Sequence, residues 1–272
     1  MLSVHTNYAS IVAQNSVAKS NDLMTNAMER LSTGLRINSS ADDAAGLQIA
    51  TRLNSNVTGM EQASRNINDA TSMLQTADGA LEELTNITMR QQELATQAAN
   101  GVNSTEDLEA LENEYNSLNT EMTRIIENTE FAGNNLFDDT DGALVNGVTF
   151  QIGASSNEVL DVQINGGYTI ADVSWSDDTD DATATMDAVK DLTQAVGVDR
   201  SNLGANINSL GHTAANLANV TENTKAAAGR IMDADFAVES ANMTKNQLLV
   251  QAGTTVLANA NQNTGLVMSL LR

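Results

Sequence analysis

The sequence predicts an all-α protein. It reads as long antiparallel helical rods with coiled-coil heptads, one small β-hairpin, and N- and C-terminal helices that pair. Three observations carry this. The inward positions of the stretch from Met60 to Ala98 read Met60, Ala63, Ile67, Ala70, Leu74, Ala77, Leu81, Leu84, Thr88, Gln91, Ala95 and Ala98. Those steps of three and four never slip, which is the spacing that keeps one seam facing a partner helix. The 272 residues include no proline, which favours uninterrupted helices. Only 3% of residues are aromatic, so thin helical layers of Ala, Leu, Ile and Met are easier to fill than a thick globular core.

The elements follow in order. From Asn7 to Leu35 the pattern is helical, with Leu23, Ala27, Leu31 and Leu35 recurring at i+4 and Tyr8, Ile11 and Val12 marking an earlier stripe. Asn38, Ser39 and Ser40, followed by Asp42 and Asp43, read as a turn and the N-cap of a new helix, with carboxylates at its positive end. That helix carries Leu47, Ile49, Leu53 and Val57 into the Met60–Ala98 rod, which alone spans roughly 60 Å at 1.5 Å per residue. Gly101 to Thr105 break the rod, and Ser104 or Thr105 before Glu106 and Asp107 caps the next helix. A second rod carries Leu108, Leu111, Tyr115, Leu118, Met122 and Ile125, and the short connection makes it an antiparallel neighbour of the first. Phe131 to Asn135 is turn chemistry.

Between about Asp138 and Asp181 the period changes. Val148, Phe150 and Ile152 alternate with polar residues, as do Leu160, Val162 and Ile164, which predicts a hairpin around a loop holding Gly153 and Asn157. Asp177, Asp178, Asp180 and Asp181 make an acidic loop, read as a solvated turn. Helical spacing resumes near Thr185. A third rod then shows Leu203, Ile207, Leu210, Ala214, Leu217, Thr221, Thr224, Ala228 and Ile231 in heptad steps. The last segment, from about Asp233 to Arg272, is helical with Leu249, Ala252, Val256 and Ala260 on one side, and its apolar tail carries Leu270 and Leu271 just before Arg272. Chain ends usually fray, so an amphipathic pair of ends predicts that they bury those faces in each other or in neighbouring subunits.

Thirteen basic against thirty-five acidic residues give a net charge of −22 and a pI near 4.1. That argues against nucleic acid and against anionic membrane surfaces as partners, since both need a positive footprint. There is no cysteine, hence no disulfide, thiolate metal site or cysteine nucleophile. No Sec-type signal and no membrane-spanning run is visible. His5 and His212 stand alone, with no His-Glu-x-x-His anywhere, so they read as solvated or satisfied rather than catalytic. Asp138-Asp139-Thr140-Asp141-Gly142 resembles a calcium loop but lacks a ligand at Phe137 and a glutamate at Val148, so no metal site is expected. With no phosphate-cradling glycine motif either, the sequence predicts no cofactor and no enzyme.

The two ends are specific enough to name a family. Met28-Glu29-Arg30-Leu31-Ser32-Thr33-Gly34-Leu35-Arg36-Ile37-Asn38-Ser39, then Asp42-Asp43-Ala44-Ala45-Gly46-Leu47, closely resembles the N-terminal signature of bacterial flagellin. Arg230-Ile231-Met232-Asp233-Ala234-Asp235-Phe236-Ala237, Gln251-Ala252-Gly253, Ala258-Asn259-Ala260-Asn261-Gln262 and Ser269-Leu270-Leu271 resemble its C-terminal signature. Glu93-Leu94-Ala95, Ala99-Asn100-Gly101 and Thr129-Glu130-Phe131-Ala132-Gly133 match between them. Departures are Ser39-Ser40-Ala41 where a lysine is usual, Asn263-Thr264-Gly265 in place of a proline-containing step, an arginine after the final Leu-Leu, and His212.

The resemblance implies a structural subunit, exported unfolded, that self-assembles at the distal tip of the extracellular flagellar filament and serves motility. It implies terminal coiled-coil helices at 1–43 and 233–272 forming an inner layer, disordered in the monomer, around which a rod domain at 44–232 packs. The hairpin and acidic loop at about 138–182 stand where large outer domains are carried in other members, so this is a short form. Leu23, Ala27, Leu31, Leu35, Leu249, Ala252, Val256, Leu270 and Leu271 are the expected assembly residues. Implied partners are further copies of the chain, an export chaperone, and the cap and hook-junction proteins. Arg90, Leu94 and Gln97 lie at i, i+4 and i+7 on a face outside the seam, and Glu114 is placed to join them across antiparallel helices. These positions match those by which similar flagellins are recognised by Toll-like receptor 5, and they are expected to form an exposed patch. Competing readings are a hook–filament junction protein or another heptad-based extracellular fibre protein or adhesin.

Overall fold

A computed structural model of the chain describes residues 7–138, 141–168, 172–175 and 179–270; for 179, 180 and 263–270 it describes the backbone alone. His5, Asp139, Thr140, Asp177, Asp178 and Leu271 lie outside the described residues, as does the side chain of Leu270. Among those described are helices α1 (Tyr8–Thr33), α2 (Ala44–Ala98), α3 (Thr105–Asn128), α4 (Ala143–Asn146), α5 (Thr179–Met232) and α6 (Phe236–Leu270). Strands β1 (Glu130–Phe131) and β2 (Asn134–Asn135) form one antiparallel pair, and β3 (Val148–Gln151) and β4 (Val159–Val162) another. The chain divides into two compact units, Met1–Ser55 with Asn223–Arg272, and Asn56–Glu222.

In the Asn56–Glu222 unit the heptad reading of α2 holds throughout. All twelve seam residues from Met60 to Ala98 are buried. Helix α5 brings its own three-four series inward: Ala182, Thr185, Val189, Leu192, Val196, Asp199 and Leu203. Helix α3 differs in phase from the expected seam. Tyr115, Asn119, Met122 and Ile126 are its buried residues, while Leu108, Leu111, Leu118 and Ile125 lie half-buried at the edges. Asn119 occupies a core position because its amide donates to Asp172 Oδ1 at 2.8 Å, which makes burial of a polar side chain tolerable. Asp199 is likewise fully buried. It accepts from the Asn165 side chain at 2.9 Å and the Tyr168 hydroxyl at 2.7 Å, so the segment after β4 is tied to α5.

The predicted hairpin is β3–β4, paired Val148↔Val162 and Phe150↔Leu160. It docks on α2 through Asn66 Nδ2, which donates to the Gln151 carbonyl at 3.1 Å. The turn read at Phe131–Asn135 is itself a second, minimal hairpin, β1–β2. Ala132 and Gly133 have φ of 53° and 83°, the left-handed pair that a two-residue connection between twisted strands needs. The Asn135 amide donates to the Ile126 and Glu127 carbonyls at 3.1 and 2.6 Å, satisfying carbonyls that the end of α3 leaves free.

In the other unit α1 and α6 run antiparallel. Asn7 donates to the Ala260 carbonyl at 2.8 Å at one end, and Arg30 meets Glu239 at 3.1 Å at the other. Gly34, at φ 73°, closes α1 in the left-handed conformation that ends helices. The chain then makes an isolated antiparallel bridge, Leu35↔Asp233, and the Ala234 amide donates to the Gly34 carbonyl at 2.9 Å. The connection into α2 folds as its polar residues dictate. Asp42 accepts from the Asn38 and Ser39 amides and the Ser39 hydroxyl, which lower its pKa, and Asp43 Oδ1 accepts from the Gly46 amide at 2.9 Å as N-cap.

Candidate assembly interface

The α1–α6 pair meets along one seam on each helix. On α1 the inward series is Ser10, Ala13, Val17, Ser20, Met24 and Ala27, and on α6 it is Glu239, Met243, Asn246, Val250, Gly253, Leu257 and Ala260, again in steps of three and four. Gly253 is required there, because a Cβ on it would come within 2.5 Å of Val17 Cγ2. The bulky residues sit outside this seam. Tyr8 is 79% exposed, Leu248 61%, Phe236 59% and Val256 57%, and Ile11, Val12, Leu23, Met28, Val238 and Leu249 are exposed with them. That many large apolar side chains left outside the seam is more than a self-sufficient helix pair exposes.

The expected terminal assembly residues are therefore split. Ala27 lies in the seam, Leu31 and Leu35 are half-buried, and Leu23, Leu249, Ala252 and Val256 face solvent rather than the partner helix. The split has a geometric cause. On α1, residues spaced uniformly at i+4 drift about 40° per step around a 3.6-residue helix and leave a straight seam within a few turns. On α6 the seam runs through Val250, Gly253 and Leu257, so Leu249, Ala252 and Val256 each lie one position off it. Of the residues named for this seam, Ala27 and Ala260 face the partner helix.

On the rod, Arg90 and Glu114 come together as expected of antiparallel neighbours. Arg90 Nη2 lies 2.7 Å from Glu114 Oε1 and Nη1 lies 2.9 Å from Glu93 Oε2, and hydrogen bonding to Glu114 raises the guanidinium pKa. Gln97 is exposed, and its carbonyl accepts from Asn103 Nδ2 at 2.7 Å. Leu94 is not part of an exposed patch. It is 1% exposed and packs in a cluster with Ala95, Ala98, Tyr115, Trp175, Ala182 and Val189. A second face of α2 is covered there, by α3, α5 and the segment at 172–175, so the position beside the seam is core too.

That covering segment went unnoticed in the sequence because it has no periodicity. The Asn116 amide mimics a strand partner, donating to the Val173 carbonyl and accepting from the Val173 amide, each at 3.2 Å. Glu112 accepts from the Trp175 amide at 2.9 Å, and Trp175 Nε1 donates to Thr185 Oγ1 at 3.3 Å. The Trp175 and Tyr115 rings pack edge to face, 5.1 Å apart. Burial pushes the Tyr115 phenol up to about 12. A phenol held neutral in the fold contributes stability that is complete below its unfolded value near 10 and lost as pH climbs toward the folded value. Tyr115→Phe should thus be as stable as the parent at neutral pH and should lose less stability between about pH 9 and 11. Urea unfolding at both pH values checks this, and parallel losses in parent and variant would refute it.

Among the described residues no group of three or more His, Cys, Asp or Glu could hold a metal ion, and no helix is long and apolar enough to cross a membrane. The geometry defines a class: a helical protein whose paired end helices α1 and α6 leave large apolar side chains exposed. Comparison with known proteins makes the class specific. Residues 4–141 match the bacterial flagellin N-terminal helical region and residues 184–271 the bacterial flagellin C-terminal helical region. The chain belongs to the bacterial flagellin family. It is 41% identical over 251 residues to a flagellin of Halalkalibacterium halodurans, covering 90% of this chain and 91% of that one. It is 34% identical over 285 residues to a flagellin of Listeria monocytogenes, covering 99% of each. Among solved structures, Bacillus cereus flagellin aligns at TM-score 0.51 and 30% identity over 56% of this chain and 88% of that one. A Vibrio parahaemolyticus protein described as flagellar hook-associated shares the fold alone, at TM-score 0.59 and 15% identity over 71% and 100%. As a family member the chain is a structural subunit of the extracellular flagellar filament, and the junction-protein reading is not favoured.

Proposed function

We propose that the end helices join the subunit to the growing filament tip by burying, against neighbouring copies, the apolar flanks that their own pairing leaves open. The observation that carries this is the placement of Tyr8, Phe236, Leu248 and Val256 outside the α1–α6 seam. Each Å² of apolar surface removed from water supplies roughly 25 cal/mol, so the exposed flanks stabilise the pair only once neighbouring copies cover them. In this reading residues 1–43 and 233–272 form the inner layer and order on assembly, and 44–232 form the rod. In the same reading the chain is exported unfolded, and its partners besides further copies are an export chaperone and the cap and hook-junction proteins. No catalytic chemistry is assigned to it. Deleting residues 233–272 should leave a folded rod that neither elongates on filament seeds nor co-assembles with the parent; elongation by the truncated chain would sink the proposal.

The Arg90–Glu114 pair with Gln97 beside it supports a second reading of the rod, as a face recognised by Toll-like receptor 5 in the monomer. Leu94 acts there as the packed floor that holds α2 against α3. Arg90→Ala with Gln97→Ala leaves that floor intact and should lower receptor signalling by about tenfold or more. Unchanged signalling from a correctly folded double variant removes the assignment.

A further inference from the structure

The chain contains three Asn-Gly steps, Asn100-Gly101, Asn146-Gly147 and Asn165-Gly166, and the structure places them in very different surroundings. Asn165 is held: its Nδ2 donates to Asp199 Oδ1 at 2.9 Å and its backbone amide faces the same carboxylate at 3.3 Å. Asn146 closes the helical turn α4, where its own amide donates to the Gly142 carbonyl at 3.0 Å. Asn100 stands exposed in the turn between α2 and α3, and among the described residues nothing hydrogen-bonds its side chain or accepts from the Gly101 amide. We infer that Asn100 is a site of spontaneous covalent modification, by deamidation through the Gly101 nitrogen.

The step balances within the chain and water. The Gly101 nitrogen, losing its proton, attacks the Asn100 side-chain carbonyl carbon. The new C–N bond closes a five-membered imide, and the former amide nitrogen leaves as ammonia. Water then opens the imide at either carbonyl, giving aspartate or isoaspartate at position 100. Glycine matters because no Cβ obstructs the approach and the backbone turns freely. A free amide and an unheld side chain matter because any hydrogen bond would have to break first. The product carries one more negative charge, set at the carbonyl end of α2 where the helix dipole is already negative. The isoaspartyl form also lengthens the main chain in a turn closed by the Asn103 amide on the Asn100 carbonyl at 3.2 Å. Each subunit thus acquires, with age, a chemical mark at the α2–α3 turn.

A clean control exists. A Cβ built on Gly101 meets nothing within 4 Å, and its φ lies outside the left-handed region, so Gly101→Ala fits without strain. The full chain is held at body temperature in mildly alkaline buffer and sampled by peptide mapping with mass spectrometry. The readout is a gain of about one dalton per deamidated site. Conversion at Asn100 should come first, ahead of Asn146 and Asn165, and should accelerate with pH. Gly101→Ala should slow it by about fivefold or more while leaving the circular dichroism unchanged. Faster conversion at Asn146 or Asn165, or an unaltered rate at Asn100 in Gly101→Ala, overturns the inference.

Discussion

Leu248→Glu should leave the monomer intact and nearly abolish polymerisation. Leu248 is 61% exposed on α6, and leucine and glutamate have similar helix propensity, so the monomer should change by no more than about 0.5 kcal/mol. In the polymer, on the proposed reading, the same position is apolar contact surface. Burying an unpaired carboxylate there costs several kcal/mol, and each 1.4 kcal/mol is tenfold in an association constant. The critical concentration for seeded elongation should therefore rise about a hundredfold or more. Leu248→Met retains bulk and apolarity and should elongate like the parent, which separates loss of contact from loss of folding. A Glu variant that elongates at the parental concentration would place Leu248 on a solvated face of the filament and undo the assembly reading.

What the sequence disclosed and what it concealed divide along a physical line. The α2 seam was legible because twelve positions keep one period and each is buried by the same kind of partner, so a local pattern suffices. The β3–β4 hairpin was legible for the same reason at period two. The α1–α6 seam was not, because its fully buried residues, Ala13, Ala27, Glu239 and Asn246, are small or polar while Leu23, Leu249 and Val256 point away. Hydrophobicity ranks Leu249 and Val256 above Gly253 and Asn246, yet it is the latter two that face α1 or lie buried. Asn119 and Asp199 escaped because a polar side chain in a seam position makes sense only with its partner in view, Asp172 for one and Tyr168 for the other. Leu94 was assigned to the surface by counting one seam per helix, whereas α2 buries two adjacent faces beneath Trp175. In each case the missing information was a contact distant in sequence.

Trp175→Ala tests the most consequential of those contacts. The side chain is fully buried, packs edge to face against Tyr115, and reaches Thr185 through its indole nitrogen. Truncating a buried Trp to Ala costs about 3–5 kcal/mol through lost transfer energy and the cavity left behind. Against a total stability of about 5–15 kcal/mol, that is enough to unfold much of a marginal unit. The damage should extend beyond the hole. Leu94, Ala98, Ala182 and Val189 share the cluster, and Val173 is pinned to Asn116 only while the segment lies against α3. Trp175→Phe keeps an aromatic ring beside Tyr115 and gives up the indole hydrogen bond, so it should cost about 1–2 kcal/mol. Denaturant unfolding followed by circular dichroism ranks the two, since the chain's single tryptophan is itself the altered residue. A loss below about 1 kcal/mol for Trp175→Ala would mean that the segment only rests on the rod. The assignment of Leu94 as a packed floor for the Arg90–Glu114 pair would then fall with it.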